Sequence, residues 1–161
     1  MSEEDLRSME TCTFTFDDLT LIPQRSSIKS RLDVNTSSWL TPRLKLNIPI
    51  VASNMSTICG PEMSLAMSKL GGAGILHRYL TIDEQISQLQ ALDPGTSKPI
   101  IPSVGVSRDS KERVTRIMLE LEIIDAICID IAHGHSQVMV DQIKWIKDKW
   151  PDIEVIAVNV A

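Results

Sequence analysis

Cysteine, aromatic and glycine residues are all sparse in this chain. Its 161 residues include three cysteines, six aromatics and seven glycines. Cys12, Cys59 and Cys128 are odd in number and widely spaced, with no Cys-x-x-Cys pair and no Cys/His zinc spacing, so reduced thiols are expected. No apolar run approaches the roughly 18 residues of a membrane span, and the acidic opening Met1-Ser2-Glu3-Glu4-Asp5 is unlike a secretory signal. Excess positive charge is also absent. The formal net charge is −5 and no basic stripe exists, which argues against nucleic acid as a partner. These features predict a cytoplasmic protein with neither a membrane nor a nucleic-acid role.

What is present is a rhythm. Five apolar segments, Ile48 to Ser53, Ala73 to His77, Pro99 to Gly105, Ala126 to Ala132 and Glu154 to Val160, begin 25 to 28 residues apart. They are unbroken rather than alternating, as strands are when both faces are covered. Each gap carries helix signals. Pro61 follows Gly60 at a first helical position, and Gly71-Gly72 supplies a stop. Thr81 to Glu84 forms a capping box ahead of Ile82, Ile86 and Leu89. Ser107 is the expected cap of a helix burying Val114, Ile117, Met118 and Leu121. Ser136 is the expected cap of another, with Val140, Ile143 and Ile146 inside, and Pro151 enforces the exit. Residues 1–47 are polar, contain Pro23 and Pro42, and are expected to form irregular arms and turns.

The repeated βα unit predicts an α/β fold with a parallel sheet. A doubly wound sheet would share the rhythm, but GxGxxG after the first strand is missing; Gly71-Gly72-Ala73-Gly74 precedes a strand instead. A parallel barrel is therefore favoured, with five strands where a complete (β/α)8 barrel needs eight. The expected division is an arm over 1–47 and the first half of a barrel over 48–161.

In a parallel barrel the chemistry sits at the C-terminal ends of the strands. Those positions carry Ser53-Asn54-Met55, His77-Arg78, Gly105, Asp130 to Ser136, and Asn159. Asp130 is a carboxylate inside an apolar strand, which needs ribose hydroxyls, a cation or a neighbouring loop as partner. Arg78 suits a phosphate or carboxylate, or is a plain surface arginine. Arg25, Lys29 and Arg31 could reach a phosphorylated cofactor or line a solvated turn. His133 and His135 lack a third ligand, so no metal site is assigned. Cys59 has no base beside it and Cys128 lies in an apolar strand; both read as packing residues. The residues alone yield an architecture and a rim, and no reaction.

Five segments together resemble the IMP dehydrogenase/GMP reductase family. They are Phe16 to Pro23, Asn47 to Met55, Gly72 to Arg78, Asp130 to Ser136, and Asn159 to Ala161, in family order. Six residues, Asp93 to Lys98, separate the second helix from the third strand, so the regulatory insert usual in the dehydrogenases is absent. Arg25 to Arg31 and Asn54 resemble the reductases, whereas His133 to Ser136 is frequent in the dehydrogenases and in some bacterial reductases. The resemblance favours GMP reductase. It implies that a cysteine attacks C2 of GMP, ammonia leaves, and NADPH delivers hydride to give IMP. The alternatives are IMP dehydrogenase, taking IMP to XMP with NAD, or a non-catalytic half barrel that binds a nucleotide or a partner.

By the same resemblance, Ser30, Arg31, Arg78, Asp130, Ile131 and Ala132 are expected to contact the cofactor, Ser30 and Arg31 that of a neighbouring subunit. Ser53, Met55 and Asn159 are expected to contact the nucleotide. Two positions depart from the family pattern: Ser56, often aspartate, and Val158, usually glycine, where a side chain could obstruct the backbone. The family's cysteine loop, phosphate-binding glycines and acid/base segment find no counterpart before Ala161. No catalytic residue is therefore assigned in this chain. A truncated barrel, inactive alone and paired as a homo-oligomer or with a complementary half-barrel chain, is the expectation.

Overall fold

A computed structural model describes residues 15–92, Gly95 and 98–160. Cys12 lies outside the described residues. The chain divides into two compact units, Met1–Asn35 and Thr36–Ala161. In the first unit two single 3-10 turns, Phe16–Asp18 and Arg31–Asp33, are each held by a carboxylate three residues past the cap. Asp18 accepts from both the backbone and hydroxyl of Thr15, which lowers its pKa. Ser30 does the same work in the second turn: its hydroxyl accepts from Leu32 N while Asp33 accepts from Ser30 N.

The second unit opens with a hairpin, β1 (Ser38–Trp39) and β2 (Lys45–Leu46), paired antiparallel with Trp39 opposite Lys45. This corrects the expectation of wholly irregular structure up to residue 47. Strands of two residues are too short to show alternation. The turn did leave a mark, because Pro42 follows Thr41 and the Leu44 amide donates back to the Thr41 carbonyl.

Five strands and four helices then alternate: β3 (Val51–Ala52), α1 (Pro61–Lys69), β4 (Ala73–Leu76), α2 (Ile82–Gln90), β5 (Ile100–Val104), α3 (Ser110–Glu120), β6 (Ala126–Ile129), α4 (Gln137–Lys149) and β7 (Glu154–Ala157). The strands lie in sequence order, each parallel to the next, as a curled half barrel. The predicted fold class holds.

Side-chain alternation along the strands builds two cores. Leu76, Val104, Ile127 and Ile129 point outward to meet Ile86, Leu89, Val114, Ile117, Met139 and Ile146 on the helices. Ala73, Ile75, Ile101, Ala126 and Cys128 belong to an inner cluster with Leu46 of the hairpin. Alanine and cysteine on the concave side suit the tighter space inside a curled sheet. Each fully buried aliphatic side chain of the outer cluster contributes about 1.5–3 kcal/mol of transfer free energy. Gly74 permits the closest helix contact: a Cβ there would lie 2.6 Å from the Ser64 Cα of α1.

Details of the helix reading change. Thr81 caps α2 through a full capping box, and Gly60, Pro61 and the left-handed Gly71 bound α1 as expected. Ser107 does not cap α3. Asp109 is the cap, and the Ser107 hydroxyl instead donates to the Asp109 carboxylate at 2.6 Å. Ser136 stands at the cap of α4 without a side-chain hydrogen bond. In that helix Met139, Gln142 and Ile146 are buried while Val140 is exposed. The run Val138-Met139-Val140 is apolar at three successive positions, so it cannot fix the phase of the buried face. β3 is shorter than the predicted 48–53, because Asn47 and Ile48 donate to the Gly71 carbonyl and Ile50 turns back to Ile48.

Candidate functional site

The C-terminal ends of the strands form one rim. A concavity of about 330 Å³ there is lined by Ser53, Asn54, Met55, Tyr79, Asp130, Val158 and Asn159. Parallel strand order is what assembles it. β3 ends just before Ser53, β6 just before Asp130 and β7 just before Val158, so residues more than 100 positions apart share one opening.

Of the partners expected for Asp130, the structure supplies a cation, and it is the Arg78 that the sequence suited to a carboxylate. Arg78, beyond the end of β4, donates from Nε to its carboxylate at 3.2 Å, with the two side chains 30% and 17% exposed. A paired, charge-assisted hydrogen bond removes much of the cost of holding a carboxylate at the end of an apolar strand. Arg78 is thus more than a surface arginine. The Asp130 amide donates to the Val104 carbonyl at 2.8 Å, which continues the β5–β6 ladder to the rim.

Asn159 is fixed by its backbone and its amide. Its φ of 55° is left-handed, a conformation asparagine tolerates better than most residues. Its Nδ2 donates to the Ile131 carbonyl at 2.7 Å, and its own carbonyl accepts from Gly134 N at 2.8 Å. The loops after β6 and β7 are therefore laced together. A Cβ on Gly134 would lie 2.2 Å from the Val158 carbonyl oxygen, so only glycine fits. The obstruction expected from Val158 is avoided in this way: the missing Cβ is on the opposing loop.

Ile131 and Ala132 stand apart from the opening. Ile131 is half-buried and packs on the outer core, offering only its carbonyl to Asn159; Ala132 is exposed, and neither lines the concavity. Ser30 and Arg31 belong to the Met1–Asn35 unit, where Ser30 caps the short turn that Arg31 begins.

Two features escaped sequence reasoning. Tyr79 lines the concavity, 59% exposed, with its ring stacked 6.3 Å from that of buried His77. The signal was an aromatic directly after a strand-end His-Arg. The other is a buried polar brace beneath the rim. Gln85 donates to the His77 and Ser103 carbonyls at 3.2 and 2.8 Å and accepts from Arg113 Nη1 at 2.9 Å. Arg113 also reaches the Leu80 carbonyl and Asp109, whose pKa is lowered by the Ser107 hydroxyl first and then by Arg113. Gln85 falls three residues after Ile82, on the inward stripe of α2, and a polar residue there marks a buried partner.

The described cysteines are chemically quiet. Cys59 and Cys128 are buried and free. Burial pushes the Cys59 thiol up to about 11; burial, with the Asp130 charge adding to it, pushes Cys128 up to about 12. Among the described residues no group of three or more His, Cys, Asp or Glu side chains could hold a metal ion, and no helix is long and apolar enough to cross a membrane.

The family described as IMP dehydrogenase / GMP reductase domain matches residues 13–161. A GMP reductase of Ligilactobacillus salivarius is 34% identical over 148 residues, covering 91% of this chain and 44% of its own length. A GMP reductase of Leishmania donovani is 50% identical over 76 residues, 47% of this chain and 15% of its own length. An inosine-5'-monophosphate dehydrogenase of Borreliella burgdorferi is 28% identical over 195 aligned positions, 91% of this chain and 48% of its own length. The chain spans less than half the length of these curated relatives.

Proposed function

The chain belongs to the IMP dehydrogenase / GMP reductase family, and from that premise we propose that its rim serves a purine nucleotide oxidoreductase. The reaction we favour is NADPH-dependent reductive deamination of GMP to IMP. NADPH, when bound, would supply hydride to C2 of the purine and become NADP+, with one proton taken up as the 2-amino group leaves as ammonia. The observation that carries the reading is the single concavity joining Ser53, Met55, Tyr79, Asp130 and Asn159 at the ends of parallel strands.

In this reading Ser53, Met55 and Asn159 hold the nucleotide. Met55 offers a polarisable face to the base and Asn159 fixes the loop beside it. Arg78 and Asp130 border the cofactor, their pair supplying charge of both signs, while Ile131 and Ala132 enter only through the backbone of the loop that Asn159 holds. Ser30 and Arg31, in an arm spanning 1–47, reach the cofactor of a neighbouring subunit. Residues 48–161 supply the first half of the barrel. The reductase is preferred to NAD-dependent oxidation of IMP because α2 ends at Gln90 and β5 begins at Ile100, leaving no room for a regulatory insert. The catalytic thiol is not one of the two described cysteines, which are protonated near pH 7. In this proposal a further segment or chain supplies the reacting thiol and also covers the outer edges of β3 and β7. Work in the cytoplasm completes the proposal.

The test is titration of the isotope-labelled chain with GMP and NADPH, followed by amide shifts, with NAD as comparator. The expected result is perturbation at Ser53, Met55, Asp130 and Asn159, stronger for NADPH than NAD, without NADPH oxidation. Perturbations confined to other surfaces would overturn it, and measurable oxidation by this chain alone would overturn the need for a further segment.

A further inference from the structure

The pair Arg78–Asp130 does not explain why the guanidinium is held as it is. Three neighbours define its place. Asp130 takes Nε at 3.2 Å. The Tyr79 ring centre lies 5.0 Å from Cζ, within cation–π range. Gly105, just past β5, borders the guanidinium: a Cβ built there would stand 3.4 Å from Nη1, ordinary contact, so a side chain branching beyond Cβ would be the first to press on it. Tyr79 is itself oriented: its ring stacks at 25° on His77, which is 6% exposed and whose carbonyl is held by Gln85. A run of contacts therefore leads from the buried brace through His77 and Tyr79 to the guanidinium. The η nitrogens make no hydrogen bond among the described residues.

We infer that Tyr79 is a positioning residue for Arg78: its ring holds the guanidinium with Nε on Asp130, beside the space that Gly105 leaves to it, so that the two η nitrogens are left to a ligand acceptor. The cradle fits a planar cation. A lysine ammonium is a compact, strongly hydrated point charge that would lack the fork linking carboxylate and ligand. That the acceptor belongs to an anionic nicotinamide cofactor rests on the function proposed above; the positioning itself does not.

The experiment follows the Arg78 Nε–H signal by NMR in the full chain, measuring its hydrogen exchange with water. Tyr79→Leu should accelerate that exchange about two- to fivefold, the loss expected for one exposed cation–π contact. Tyr79→Phe should preserve the slow exchange, because the ring and not the hydroxyl faces the guanidinium. Gly105→Val, which leaves Tyr79 intact, should accelerate it too, and it carries the test if Tyr79→Leu fails to fold. In a second arm, NADPH affinity should weaken in Tyr79→Leu and recover in Tyr79→Phe. Equal exchange in Tyr79→Leu and Tyr79→Phe, or undisturbed exchange in Gly105→Val, would overturn the positioning. If the exchange pattern holds while the unmodified chain ignores NADPH, the cofactor reading fails and the cradle stands.

Discussion

The inner strands of the sheet and its last strand are built from similar residues yet live in different surroundings. β4, β5 and β6 are buried at every position, whereas all four residues of β7 are only half-buried. Val155 and Ile156 are as aliphatic as Ile127 or Ile101. The difference comes from neighbours: β6 is bonded on both sides, while β7 pairs only with β6 among the described residues. Strand character is written in the side chains, and burial is conferred by position in the sheet. β7 is secured from another direction. Arg43, in the hairpin turn, donates to Glu154 at 2.7 Å and to the Asp152 carbonyl, fastening the start of the sheet's last strand to the hairpin.

This contrast can be pressed by mutation. Leu76→Ala, in the middle of the sheet, should lower unfolding free energy by about 2–5 kcal/mol, the range for emptying a packed aliphatic site. Ile156→Ala on β7 should cost about 1 kcal/mol, because a half-exposed side chain has less apolar area to lose. Paired denaturant titrations measure both. Equal losses would mean that the last strand is as well covered as the middle ones.

A smaller effect sharpens the same comparison. Glu154 has its pKa lowered by the Thr41 hydroxyl first and by Arg43 next. A carboxylate whose folded pKa is depressed stabilises the fold above its ordinary value of 4.5, and that stability is lost as pH falls through the lower folded value. Arg43→Ala should therefore melt slightly below the parent at neutral pH, and the gap should close on acidification. Thermal melts across pH 7 to 3 provide the check. A gap that persists in acid would show that Arg43 acts through packing instead.

The sequence carried the strand rhythm because hydrophobic runs repeat and their spacing is set by one βα unit. It carried Gly60-Pro61, Gly71 and Thr81 as helix boundaries because each has a local backbone reason. It carried the kind of partner that Arg78 and Asp130 each need, but not their pairing, because contact between residues 52 positions apart leaves no mark on either one's immediate neighbours. The same holds for Gly134, whose need for a missing Cβ is created by the Val158 carbonyl on another loop. Phase in α4 was lost to a run of three apolar residues. Ser107 misled because a serine two residues before an aspartate offers two caps, and Asp109 took the role.

Hydrogen-bond scalar couplings in solution test the rim most directly, because they report which amide bonds which carbonyl. The parallel arrangement predicts a coupling from Asp130 N to the Val104 carbonyl and another from Gly134 N to the Asn159 carbonyl, both bonds being 2.8 Å. Finding both would place the ends of β5, β6 and β7 side by side. Couplings from those amides to other carbonyls would contradict the shared rim, and with it the site.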